Sequence, residues 1–197
     1  MWNPGHFEMW VRKYLNFESQ LLFYSQYHHQ KVNKIIHIIC IPTIMFTVMI
    51  AMSAYIPKYN FQNIIDIQFT YVMTSIYVIY YLLLEPVAGA LYAPILLLMT
   101  HYAEKLALDG VDMKWVLIVH VAAWILQFVG HGVFEKRAPA LLDSLFQAFL
   151  LAPFFVFMEV LFAMGYRPVL RTKMEELTVQ AIKDYRNQKA KKQNAKK

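Results

Sequence analysis

Residues 35–56 run for 22 positions without one formally charged side chain. A helix crossing the hydrocarbon of a bilayer needs about 20 mostly apolar residues, so this stretch alone points away from a soluble core and toward a membrane. Four more stretches follow the same pattern. Residues 64–84 carry only Asp66 near their start; residues 86–103 contain Gly89 and Pro94; residues 115–130 are 16 long; residues 141–165 have Pro153 in the middle and Asp143 and Glu159 toward the ends. The runs are continuous rather than alternating with period two, which predicts helices and not barrel strands. The chain is 58% hydrophobic and 16% charged, against about 25% charged in ordinary soluble domains, so intrinsic disorder is excluded as well. The expected fold is all-α, a polytopic membrane helical bundle.

Charge orders the spans. Residues 1–34 and 167–197 together hold 14 Lys/Arg and 5 Asp/Glu, a net +9, whereas residues 35–166 hold 5 and 8, a net −3. Lys and Arg mark the cytoplasmic side, so both ends are expected there, with an even number of crossings. The reading is four crossings plus a broken or re-entrant hairpin in residues 141–165, its break near Ala152 and Pro153. Residues 57–63 and 104–114 then fall on the far side, and residues 27–34, 131–140 and 167–197 share the cytoplasmic side. Basic ends on so apolar a chain suit an anionic membrane surface and exclude a nucleic-acid partner. Cys40 is the single cysteine and forms no internal disulfide. The first twenty residues lack a continuous apolar stretch, so no cleaved signal peptide is expected. Residues 1–173 read as one membrane-embedded domain. Residues 174–197 read as a basic tail, a short amphipathic helix fading into disorder.

Ionisable groups near membrane depth are costly and mark function, which draws attention to His28, His29, His37 and His131. If the first span is already helical at His29, then His29, Asn33 and His37 step by four along one face, a ligand-like spacing. Asn33 can instead be the helix cap, leaving His28 and His29 in a loop where spacing says nothing about direction. In the second cluster, Gln127, His131 and Glu135 again step by four. Histidine and carboxylate ligands with open positions suit a non-haem Fe(II) oxygenase. Against this stands the plainer reading that the histidines satisfy hydrogen bonds and that Glu135, Lys136 and Arg137 cap a helix at the water interface. His6 lies in a polar terminus with no expected role. His101 and His120 are a formal pair of haem ligands, though a lone histidine on an apolar helix is more often a satisfied core residue. The chain has seven histidines but no HxxxH or HxxHH box, which disfavours membrane di-iron desaturases. It has no phosphate loop, nucleophile elbow or CxxC pair.

These residues carry a resemblance. The stretches FYSQYHH (23–29), NKIIH (33–37) with Pro42, WILQFVGHGVFEKRAPAL (124–141) and LLAPF (150–154) resemble the endoplasmic-reticulum 2-hydroxy fatty acid dioxygenases of phytosphingosine breakdown. The likeness covers the chain from about Phe17 to Pro168, and GHGVFEKRAPAL is long and specific. It implies an Fe(II)-dependent enzyme of the endoplasmic-reticulum membrane, both termini cytoplasmic. Its substrates would be a long-chain 2-hydroxy fatty acid and O2, its products the acid one carbon shorter and CO2. An α-hydroxy carboxylate offers a metal two oxygens, so the histidine clusters then make chemical sense. The expected iron ligands are His28 or His29, His37 and His131, with Glu135 as a further ligand or a group that orients one. Asn33 and Gln127 are expected to orient ligands, and Lys136 and Arg137 to neutralise the substrate carboxylate. The alternative is a non-enzymatic lipid-binding or membrane-shaping protein.

Overall fold

The computed structural model describes residues 14–61, 65–139, 141 and 144–194. His6, the expected site of no role, and residues 195–197 of the tail lie outside the described residues. Among the described residues, seven α-helices form an all-α bundle. Helix α1 (Phe17–Tyr27) is capped by the Asn16 side chain, which accepts from the Ser19 N–H at 2.9 Å. Helix α2 (Lys31–Tyr55) carries the uncharged run, and a two-stranded antiparallel ribbon follows it, β1 (Tyr59–Phe61) with β2 (Ile65–Ile67). Helices α3 (Phe69–Leu84) and α4 (Pro86–Leu108) meet at Glu85. Glu85 caps α4 by accepting from the Ala88 N–H at 2.6 Å, and Pro86 takes the first turn, where its missing N–H costs nothing. Helix α5 (Met113–Val129) continues into a π-helical turn (Gly130–Glu135), and α6 (Ala152–Ala163) and α7 (Pro168–Asn194) complete the bundle.

Helices α2, α4 and α5 with its π turn are long and apolar enough to span a membrane, and α6 with α7 makes one further bent candidate. Outward-facing Ile39, Ile79, Leu83, Leu98, Leu117 and Ile125 are exposed, as lipid-facing side chains are. Two expectations shift. The second apolar run begins as strand β2, so α3 has 16 residues, about 24 Å of helix against a hydrocarbon thickness of about 30 Å. The break in the last run is not at Ala152 and Pro153, because a proline in the first helical turn removes no hydrogen bond. The chain instead bends by 118° after Ala163, where Gly165 at φ +90° supplies the left-handed residue that ends α6. Helix α7, at 27 residues, exceeds the short tail helix expected.

The bundle has two distinct ends. At one, α7 lies on α1, with Lys173 Nζ 2.6 Å from Glu18 Oε2, and Arg137 reaches the carbonyl of Gln26. At the other, Lys58 beside β1 pairs with Glu104 of α4 at 2.9 Å. Helices α2 and α5 run antiparallel: the His37 and His131 rings meet at 4.8 Å, and ten residues further along α2, Thr47 bonds His120 at 2.9 Å. The aromatic core that fixes α1, α3, α4 and α6 is built on Phe17, Tyr81, Tyr92, Phe154 and Phe155, with Tyr81 stacked on Phe154 at 4.6 Å.

Candidate metal centre

The site begins with how α2 starts. A helix leaves its first N–H groups without partners, and a carboxylate is a favourable acceptor for them. Here the N–H groups of His29 and Gln30 donate to Glu135 Oε1 and Oε2 at 2.8 and 2.9 Å, across more than a hundred residues. The helix therefore opens at Lys31, with Gln30 as its cap residue, and Asn33 lies inside it. The face shared by His29, Asn33 and His37 does not form. His29 sits in the linker with an exposed side chain, while His28, at the end of α1, is 4% exposed.

Asn33 is fully buried and ties the two helices, its Nδ2 donating to the Tyr27 carbonyl at 3.2 Å. Its own carbonyl accepts from His37 Nδ1 at 2.9 Å, and the Tyr24 carbonyl accepts from His28 Nδ1 at 2.9 Å. Each bond holds the proton on Nδ1 and leaves the Nε2 lone pair free. The third ring comes from the π turn, whose wider spacing aims His131 inward while sending Glu135 to α2. His28, His37 and His131 meet at ring separations of 4.3, 4.9 and 4.8 Å, and each offers a ligand atom within 4.8 Å of the others. Burial, with His37 and His131 beside it, pushes the His28 pKa well below its usual value, so the ring is neutral at pH 7. Neutral imidazole is the form that binds a metal.

His131 Nδ1 has no hydrogen-bond partner among the described residues. A buried polar atom left so costs about 1–3 kcal/mol. A divalent cation shared by the three rings would satisfy them together, and the residues fit one. The all-imidazole donor set suits iron, zinc, copper or nickel.

Below the trio lies a cavity of about 310 Å³. It follows α2 from His37 past Ile41, Ile44, Met45 and Val48 to Met52, about 22 Å at 1.5 Å per residue. Phe128, Trp124 and Phe149 wall it from α5 and the second π turn (Gln147–Leu151). No Lys, Arg, Asp or Glu lines it among the described residues. An apolar slot ending in a few polar groups is the usual form of a small-molecule site.

Other expected residues are placed elsewhere. Glu135 caps α2 through both oxygens and is not among the three residues whose ligand atoms converge. Lys136, in the left-handed conformation at φ +52°, is exposed. Arg137 donates to the Gln26 carbonyl at 2.9 Å, with its guanidinium 3.7 Å from the Tyr27 ring centre and 4.4 Å from that of Tyr185. Neither cation lines the cavity, whereas Gln127 does, with its Nε2 unpartnered. Arg137→Ala should therefore lower Tm, removing about 1–3 kcal/mol of stacking and hydrogen bonding, and leave metal content unchanged. His120 is held by two bonds: Nε2 accepts from Trp124 Nε1 at 3.1 Å, so Nδ1 donates to Thr47 Oγ1. His101 is exposed, and the pair is no haem site in this arrangement.

Sequence reasoning gave Tyr24 no role. Its ring stacks on His28 at 4.2 Å, its hydroxyl is buried without a partner, and it lines the cavity. The signal was present in its spacing, four residues before His28 on one helical face. Gly130 also matters. A Cβ there would collide with the Asn33 amide oxygen, so Gly130→Ala should cost about 1–3 kcal/mol of overpacking, measured as a lower Tm, and loosen metal binding.

A bundle of membrane helices with three imidazoles converging above an apolar cavity defines a helical membrane protein with a buried histidine trio able to hold a metal ion. The family model described as 2-hydroxy-palmitic acid dioxygenase Mpo1-like matches residues 14–164, and the chain belongs to that family. It is 39% identical over 161 residues to the 2-hydroxy-palmitic acid dioxygenase MPO1 of Saccharomyces cerevisiae, covering 82% of this chain and 88% of the yeast protein. No solved structure matches the chain.

Proposed function

We propose that the protein is an Fe(II)-dependent dioxygenase for the α-oxidation of long-chain 2-hydroxy fatty acids. The observation that carries the reading is the buried trio of His28, His37 and His131 at the head of an apolar cavity, in a chain related to a 2-hydroxy-palmitic acid dioxygenase. Iron bound there would supply O2 activation and positive charge for the acid's carboxylate. The chain's own residues do the rest. The Tyr24 and Asn33 carbonyls hold His28 and His37 in the tautomer that presents Nε2. The apolar wall from Ile41 to Met52 takes the acyl chain and excludes water.

The overall change balances without a reductant. The bond between C1 and C2 breaks, C2 passes from alcohol to carboxylic acid and C1 to CO2. Together they give up four electrons, which O2 accepts in full, with water as the third product. The membrane in question is that of the endoplasmic reticulum, with both basic ends of the chain on the cytoplasmic side.

Purified protein, loaded with Fe(II) without air and then exposed to O2, should convert 2-hydroxypalmitate to pentadecanoate and CO2 in equal amounts. Stoichiometric iron with no loss of substrate would sink the reading. For the orientation, a glycosylation acceptor added in residues 104–114 should be used and one added after residue 190 should not.

A further inference from the structure

An acid lying in this cavity finds no cationic side chain in its wall among the described residues. The two candidates the sequence offered, Lys136 and Arg137, are exposed or engaged elsewhere. The wall does hold two uncharged donors without partners, the Tyr24 hydroxyl and the Gln127 amide Nε2, both buried. Buried donors in folded proteins are nearly always satisfied, so two in one wall point to an acceptor that arrives with a ligand.

Their positions say where that acceptor sits. Tyr24 of α1 stacks on His28, Gln127 of α5 stands four residues before His131, and both line the cavity that the trio also lines. We infer that Tyr24 Oη and Gln127 Nε2 form a seat for the carboxylate of the 2-hydroxy acid beside the three histidines. The inference rests on the function proposed above and names how that site holds its substrate. A phenol O–H and an amide N–H both donate, and a carboxylate presents two oxygens able to accept one bond from each. Neutral donors also suit the location. A lysine or arginine there would be a charge near membrane depth whenever the site was empty, a costly state that a phenol and an amide avoid.

The test is ligand binding without turnover. Fe(II)-loaded protein in phosphatidylcholine nanodiscs, free of O2, is titrated with 2-hydroxypalmitate and with hexadecane-1,2-diol, which lacks only the carboxyl carbonyl. Quenching of Trp124, in the cavity wall, reports binding, and bound iron is measured on the same samples. Tyr24→Phe and Gln127→Met should each weaken the acid about tenfold or more, the loss of one charge-assisted bond. Diol binding should stay within about twofold of wild type and iron content should not change. Gln127→Glu should weaken the acid further by repulsion, which separates a carboxylate seat from a packing role. Acid binding equal to wild type in both neutral variants, or equal losses for acid and diol, would overturn the seat. Wild-type protein that binds the acid with this selectivity yet does not oxidise it would leave the seat standing and refute the dioxygenase reading.

Discussion

Replacing His37 or His131 by alanine is expected to abolish turnover of 2-hydroxypalmitate and weaken iron binding by at least about 100-fold, more than the ~10–100-fold typical of losing an outer partner of a metal ligand. His28→Ala should do the same. His29→Ala should leave both within about twofold of wild type, because its side chain is exposed and only its backbone N–H is used, as a donor to Glu135. Iron analysis after dialysis, together with circular dichroism to establish folding, makes the comparison. Equal iron in the wild type and in folded His37→Ala and His131→Ala variants would dismiss the trio as a metal centre. The contrast between adjacent residues is the sharper half of the prediction, since a general effect on the membrane interface would treat His28 and His29 alike.

A bulky residue in the cavity wall should divide long substrates from short ones. Ile44 stands seven residues below His37, about 10 Å along α2, and Met52 about 22 Å. Tryptophan at Ile44 is expected to cut kcat/KM for 2-hydroxypalmitate more than tenfold. Two methylenes kept out of the cavity already cost about 1.6 kcal/mol, against 1.4 kcal/mol for a factor of ten. 2-Hydroxyoctanoate, short enough to end above the obstruction, should be affected much less. Tryptophan at Met52 should trouble only the longest acids. If Ile44→Trp lowers rates on both acids by the same factor, the acyl chain does not run down α2.

These expectations rest on unequal shares of sequence and structure. The two basic ends and the apolar runs between them are one-dimensional signals. A helix in lipid must satisfy its own backbone and turn apolar side chains outward, so residues 35–56 could be read as a span without knowing any neighbour. The gathering of His28, His37 and His131 at one end of the bundle was legible for the same reason, because antiparallel spans return the chain to the end it left.

Several boundaries were not legible. The run starting at residue 64 is uncharged except for Asp66, yet Ile65–Ile67 form strand β2 because they pair with Tyr59–Phe61. Pro153 looked like a break and proved to be a helix start, since the cost of proline depends on whether its N–H was needed. Tyr24 lay inside a family-like stretch, and its stacking on His28 and its place in the cavity wall separate it from Tyr27, whose ring packs under Arg137.

The sequence by itself determined that this chain is a helical membrane protein and that His28, His37 and His131 gather at one end of the bundle. Burial in lipid is dictated by runs of neighbouring residues, and those can be counted along the chain. Only the tertiary structure decided which of two adjacent histidines turns inward, that Glu135 caps α2 and leaves the trio to imidazoles, and that Arg137 braces α1 and α7. Those outcomes depend on partners more than a hundred residues away, or on a π turn that rotates side chains out of the 3.6-residue period. No spacing rule along a single segment contains them.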